Sequence, residues 1–441
     1  MSTKLFVLAP QAILPGHHSV QAATIEVDVS TGKISAVHQG TKEKPEWQED
    51  GVEVVRVDPG KVLLPGLVDC HVHLNQPGRT AWEGFLSGTT AALSGGVTTL
   101  IDMPLNSIPP TTTVANFETK RAEAGKVGVH ADVGFWGGIV PGNENDLVPL
   151  LEAGVKGFKC FLINSGVDTP KRADNQGTNA LILFHAEFES HGHDLPETRA
   201  EGSEYSTFLE SRPPSLELDA LSLILRLARS YPHLRFHIVH LSAAAAVPLI
   251  KDARASGIQN LTVETCFHYL CLRAEDIPPN ATQYKCCPPI RDEANRKKLV
   301  EALLDGTIDY VVSDHSPCIP ELKKGDFMSA WGGVSGLGLG LSLLWTEIGE
   351  QAGLARLVDW MGARQAAQVG LEGKKGVLAP GADADWVVFD PSATFVVTEV
   401  CQDEVAVADV ARKRCDSRTK SRRTWAAHYE ERSNRPMFED V

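Results

Sequence analysis

From Val62 onward, short apolar segments alternate with helical ones, and this alternation restricts the fold more than any other feature of the chain. The apolar segments are LVDCHVHL (67–74), VTTLIDMP (97–104), HADVGFWGGI (130–139), VKGFKCFL (155–162), LILFHAE (181–187), RFHIVHLS (235–242), LTVETCFHY (261–269) and DYVVSDHSP (309–317). Helical segments are expected at 114–126, 145–153, 216–230, 243–256 and 292–305. The last begins at Asp292-Glu293 and ends at Asp305-Gly306, a cap at each end. Such a series implies parallel βα units, and eight strands of this kind fit a (β/α)₈ barrel. Before it, ATIEVDVSTGKISAVHQG alternates around a Thr31-Gly32 turn as a hairpin does; after it, GVLAPGADADWVVFDP reads as a turn leading into an apolar strand. The expected architecture is therefore α/β: a TIM-like barrel over 62–371, with a small β-sandwich built from both chain ends, 1–61 and 372–441. No internal repeat or low-complexity segment interrupts it.

Charge and composition exclude several classes of partner. With 441 residues and a formal net charge of -14, the chain gains little from polyanions, so nucleic acid is not an expected partner. No apolar run is long enough to span a bilayer, and the start, MSTKLFVLAPQAILPG, lacks the charged opening and long apolar core of a signal peptide. Nine cysteines without a CxxC pair suit free thiols in a reducing compartment, and a cytoplasmic location is expected.

The chemistry lies in where the polar residues fall. His71 and His73 end the first barrel strand, Lys159 lies in the fourth, His185 in the fifth, His240 in the sixth and Asp314 in the eighth. Each follows an apolar run and so belongs near the C-terminal end of its strand, the catalytic face of such a barrel. Residues two apart on a strand share a face, so His71 and His73 point the same way. One buried histidine alone is usually a hydrogen-bonded core residue. Several buried ionisable groups at one mouth cost several kcal/mol each unless a metal or partner compensates, and imidazole with carboxylate is a donor set that zinc accepts. An ammonium cannot ligate a metal, but a lysine whose pKa is lowered by burial can react with CO₂ to give an anionic carbamate able to bridge two metals. The alternative is an amine that snorkels to the rim, as Lys156 does in the same reading. His237, three before His240, points to the opposite strand face and reads as structural. His268 ends the seventh strand and suits a residue behind the ligands or a packed one equally well. Cys160 and Cys286-Cys287 read as small buried hydrophobes, and the basic stretch Arg412 to Arg423 as a solvated tail.

The segments PGLVDCHVHL, GGVTTLIDMP, GFKCFL, FHAE, HIVHLS, VETC-HYL and SDHSP resemble those of the amidohydrolase superfamily, in its cyclic-amidase branch of dihydroorotases, hydantoinases and allantoinases; the likeness covers about Leu63 to Leu371. That resemblance implies two zinc ions per subunit, one held by His71, His73, Lys159 and Asp314, the other by Lys159, His185 and His240, with N6-carboxylysine at Lys159 and a hydroxide between them. It implies Asp314 as the catalytic acid/base. Within the branch, HVHLNQPGRT, IDMPLNSIPPTTT, YKCCPPIRDEANR, SDHSPCIPELK and GDFMSAWGG are similar to allantoinases. Dihydroorotases carry an arginine at the position of Asn75, and asparagine cannot make that bidentate ionic contact but can hydrogen-bond a neutral ureide. The implied activity is zinc-dependent opening of allantoin to allantoate in purine breakdown, by a homo-oligomer, dimer or tetramer, acting on a small cyclic ureide. Asn75, Asn106, Cys287 and Ser316 are the candidate substrate contacts, although Asn106 reads as well as a turn residue before Pro109-Pro110. The alternatives are a hydantoinase or dihydroorotase, or a catalytically silent scaffold member.

The chain departs from the family's pattern in places. The linker NSGVDTPKRADNQGTNA after the fourth strand has no helical periodicity where the family has a helix. Beyond about Val397 the sequence becomes charged and aperiodic, losing the strand pattern that should close the β domain. Gln76 stands where allantoinases usually have Glu, and Phe267 where proline is usual.

Overall fold

A computed structural model describes residues 4–41, 52–162, 179–188, 202–394 and 408–412. The chain divides into two compact units.

The first unit spans Met1–Val68, Ala91–Thr99 and Gly349–Val441 and is built on a seven-stranded sheet. Its strands are β1 (Lys4–Ala12), β2 (Gln21–Asp28), β3 (Lys33–Gln39), β4 (Val52–Arg56), β5 (Val62–Pro65), β15 (Asp385–Phe389) and β16 (Ala408–Arg412), in the order β16-β15-β5-β1-β2-β3 with β4 also on β1. The Thr31-Gly32 hairpin forms between β2 and β3, with Gly32 at φ 70°. Leu5, Val7, Ile25, Val27, Ile34 and Trp386 fill one apolar core, so strands from both ends of the sequence share it. One expectation is corrected here. The tail supplies a strand after all: β16 pairs antiparallel with β15 from Asp385↔Arg412 to Phe389↔Ala408. The open edge of β15 offers its backbone groups to any extended segment, so the pairing does not require an apolar repeat in the tail itself.

The second unit, Asp69–Thr90 and Leu100–Ile348, is the barrel. Its strands are β6 (Leu67–Val72), β7 (Val97–Asp102), β8 (Asp132–Phe135), β9 (Gly137–Gly138), β10 (Phe158–Phe161), β11 (Leu181–His185), β12 (Arg235–Ile238), β13 (Leu261–Cys266) and β14 (Tyr310–Val312). β8 and β9 are one strand interrupted at buried Trp136, whose indole N–H donates to Cys70 O at 2.8 Å. Neighbours pair in parallel from β9 to β14, and a parallel bridge between Val72 and His315 returns the ring to β6. Counted with that interruption, these are the eight strands of a TIM-like barrel. β10 and β11 lie in register, Phe161 opposite His185, so the unusual linker does not keep Lys159 and His185 apart. The expectation that a helix is missing between these strands concerns 163–178, outside the described residues.

The helices follow the sequence closely where the apolar period is strong. α1 is Phe85–Ser94; α2, Val114–Val127, starts at Thr113, whose side chain accepts from Asn116 N–H; α3 is Leu147–Ala153. α4 (Tyr205–Glu210) precedes α5 (Ser215–Ser230), which buries Leu216, Ala220, Leu221, Ile224, Leu225 and Ala228 on one stripe. α6 is Val247–Ala255, entered through a 3₁₀ turn. The strand expected over 261–269 ends early: Phe267–Cys271 is a short helix, α7, so His268 does not end a strand. α8 (Glu293–Leu304) has Asp292 as its N-cap, accepting from Asn295 N–H, with Gly306 at φ 83° beyond its end. α9 is Gly340–Ala352.

Candidate metal centre

The six candidate ligands all belong to the barrel unit and converge at the C-terminal ends of its strands. His71, Lys159 and His185 lie within β6, β10 and β11; His73 is one residue beyond β6. His240 and Asp314 were expected at strand ends but lie two residues past β12 and β14, at φ 42° and 44°. A left-handed backbone at non-glycine residues costs on the order of 1–3 kcal/mol and persists only where the surroundings enforce it. Here they do. Glu217 Oε2 accepts from Ser242 and Ala243 N–H at 2.9 Å each, while Arg291 holds Glu217 Oε1 at 2.7 Å. Around Asp314, Asp69 accepts from Ser313 N–H and Ser313 Oγ from His315 N–H.

The imidazoles are close-packed. Ring centroids are 5.5 Å apart for His71 and His73, 5.4 Å for His71 and His240, and 4.6 Å for His185 and His240. Asp314 Oδ1 lies 3.1 Å from His71 Nε2 and 3.6 Å from His73 Nε2. His71, His73 and Asp314 each offer a ligand atom within 4.8 Å of the others. Lys159 is 2% exposed, its Nζ 5.6 Å from the Phe161 ring centre.

The carboxylates at this spot favour positive charge at His71, whereas burial disfavours it at the other basic candidate ligands. Burial opposes a charged His71, but the Asp314 and Glu264 carboxylates outweigh it and raise the group to about 9. Burial likewise opposes the Asp314 carboxylate, yet His71 and His73 hold it well below its ordinary range. Burial lowers His73, His185 and His240, leaving neutral rings with lone pairs. Burial also lowers the Lys159 ammonium to about 8, against the pull of Asp314 and Glu264. His240 Nδ1 is buried with no hydrogen-bond partner among the described residues. Neutral imidazoles, a low-pKa carboxylate and an orphaned ring nitrogen fit a divalent-metal donor set.

Three carboxylates that the sequence reading missed hold imidazoles here: Glu264 and Glu187 hold candidate ligands, and Glu83 holds the neighbouring His315. Glu264 on β13 accepts from His71 Nδ1 at 2.5 Å and His237 Nε2 at 3.0 Å, and Tyr310 stacks on His237. Glu187 lies 2.7 Å from both His185 Nε2 and Arg212 Nη1. Glu83 lies 2.7 Å from His315 Nε2. Each aims an imidazole by fixing which nitrogen carries the proton. Glu187→Gln, which keeps the shape but loses the charge, is therefore expected to weaken metal retention by about 10–100-fold; bound metal after dialysis against graded chelator measures it.

The candidate substrate contacts fare differently. Asn75, at φ 62°, donates through Nδ2 to His73 O and Pro317 O at 3.2 Å, leaving a buried Oδ1 without a partner among the described residues. The Asn106 amide is 3.1 Å from His73 Nδ1, so it braces a candidate ligand. The Ser316 main-chain N–H is spent on Val334 O. Cys287 is half-buried, near Arg212 and Glu187, and burial raises its thiol to about 11. Gln76 uses both ends of its amide: Oε1 accepts from Phe85 N–H, and Nε2 donates to Glu123 Oε2 at 3.4 Å, where a glutamate would meet like charge.

Comparison with known proteins places the chain in a family. The model of the Amidohydrolase family matches residues 62–415. The allantoinase of Saccharomyces cerevisiae is 50% identical over 85% of this chain and 84% of its own length; that of Streptomyces avermitilis is 49% identical over 84% and 83%. Among solved structures, L-hydantoinase (dihydropyrimidinase) from Arthrobacter aurescens superposes with a TM-score of 0.77 at 27% identity, covering 87% of this chain and 86% of that one. A D-hydantoinase gives 0.78 at 28%, covering 90% and 88%. The chain belongs to the amidohydrolase family and, within its cyclic-amidase branch, to the allantoinases.

Proposed function

We propose that the chain hydrolyses the cyclic amide of allantoin to allantoate in purine breakdown, using two zinc ions. The observation that carries this reading is the meeting of four imidazoles, Asp314 and buried Lys159 at one barrel mouth. His71, His73 and Asp314 would hold one ion and His185 and His240 the other, with Lys159 between them. When bound, the ion pair supplies Lewis acidity that acidifies a water and polarises the ring carbonyl. Lys159, lowered to about 8 by burial, presents enough neutral amine to attack CO₂; a C–N bond forms, a proton leaves to solvent, and the side chain becomes an anionic carbamate. Asp314 takes the proton of the attacking water and delivers it to the ring nitrogen as the C–N bond breaks. Asn75 Oδ1, buried and without a partner among the described residues, accepts from a ureide N–H. Free cysteines throughout the described residues suit a reducing compartment such as the cytoplasm, and we expect a homo-oligomer. Among the described residues, no helix is long and apolar enough to cross a membrane.

Initial rates on allantoin, hydantoin and dihydroorotate test the substrate. A site reading one neutral ureide by hydrogen bonds should favour allantoin over dihydroorotate by on the order of 10⁴ in kcat/KM, because Asn75 is neutral and makes no ionic contact with the carboxylate. Equal or faster turnover of dihydroorotate contradicts the assignment.

A further inference from the structure

One buried histidine has no place in the scheme above. His268 lies in α7, 2% exposed, and neither ring nitrogen has a hydrogen-bond partner among the described residues. Two buried ring nitrogens without a partner among the described residues are costly, which points to a bound group that would satisfy them. A His268 nitrogen, Cys266 Sγ and an Asp314 carboxylate oxygen lie within 4.8 Å of one another, and all three residues are buried. Three donor atoms so close together can all reach a single cation. A water would serve the imidazole and the carboxylate, but a thiol is a weak hydrogen-bonding group. Sulfur, nitrogen and oxygen together form a donor set for zinc, cadmium or cobalt(II).

We propose that Cys266, His268 and Asp314 form a third cation site, adjoining the pair and sharing Asp314 with it, whose occupation inhibits the enzyme. As the cation binds, the Cys266 thiol releases its proton to solvent and the sulfur–metal bond forms; His268 contributes a ring lone pair and Asp314 a carboxylate oxygen. Repulsion from the neighbouring ions makes the site weaker than the pair, so it fills only when metal is in excess. A cation on Asp314 takes the carboxylate away from proton transfer, and activity falls. The inhibitory half rests on the proposed role of Asp314; the binding half does not. Cys266 is the sole sulfur in this scheme, since none of the six residues assigned to the pair is a cysteine.

Cobalt(II) separates the two halves. The full-length protein, stripped of metal, is titrated with cobalt(II) in bicarbonate while near-ultraviolet absorption and allantoin hydrolysis are recorded. Activity should rise until the pair is filled. Further cobalt should bring in a thiolate-to-cobalt charge-transfer band as activity declines in parallel. Cys266→Ser and Cys266→Ala should lack the band and, like His268→Asn, should need about tenfold more metal for half-inhibition, each relative to its own uninhibited rate. No band in the wild type at saturating cobalt, or half-inhibition unmoved in all three variants, overturns the site. A raised KM in His268→Asn with unchanged inhibition assigns the ring to substrate and also overturns it. A band without inhibition keeps the site but overturns its effect through Asp314.

Discussion

Lys159→Ala is expected to lose at least about 10³-fold in kcat/KM on allantoin, since two-metal catalysis supplies several kcal/mol and each 1.36 kcal/mol is worth tenfold. The buried ammonium has no carboxylate in hydrogen-bonding contact among the described residues; its polar surroundings are the imidazoles and, at longer range, Asp314 and Glu264. A lysine so placed is unfavourable as a cation and useful as a carbamate. The alanine variant removes the carbamate and the methylenes that carry it, so short carboxylic acids such as acetate or propionate should enter the gap and restore part of the activity and part of the bound metal. Near-wild-type turnover in the variant without added acid would rule out the bridging role.

Asp314→Asn should lower kcat by about 10²–10⁴, the usual contribution of a positioned acid/base, with KM changed far less. The substitution keeps an oxygen for the metal but cannot accept and return a proton. Metal content measured on the same samples separates the two roles: loss of rate with metal retained supports proton transfer, while undiminished kcat with metal bound contradicts it.

Much of this arrangement was legible in the sequence because the barrel strands are nearly continuous apolar runs, against which a histidine, lysine or aspartate stands out. His71, Lys159 and His185 fall on strands as the runs indicate. His240 and Asp314 were harder to place: the ladder stops at Ile238 and Val312, and a left-handed residue then swings each side chain. No local pattern encodes that turn; it is imposed by Glu217, Arg291 and Asp69 from distant parts of the chain. Glu264 was overlooked for a related reason. Its partner His71 is 193 residues away, so only the oddity of a glutamate inside LTVETC signalled it. The seventh strand was drawn too long because CFHYL is as apolar as the strand before it, and a five-residue helix has too few turns to show a period. The tail strand β16 was missed because its pairing comes from the edge of β15 and not from its own composition.

The most direct test is elemental metal analysis of the purified protein reloaded with zinc and bicarbonate, paired with allantoin hydrolysis before chelation, after it and after zinc is returned. A working pair at His71, His73, Lys159, His185, His240 and Asp314 predicts two zinc ions per chain once excess metal is dialysed away, activity abolished by the chelator and recovered with the metal. Protein that binds almost no zinc under these conditions, or that turns over allantoin undiminished in chelator, would contradict the account.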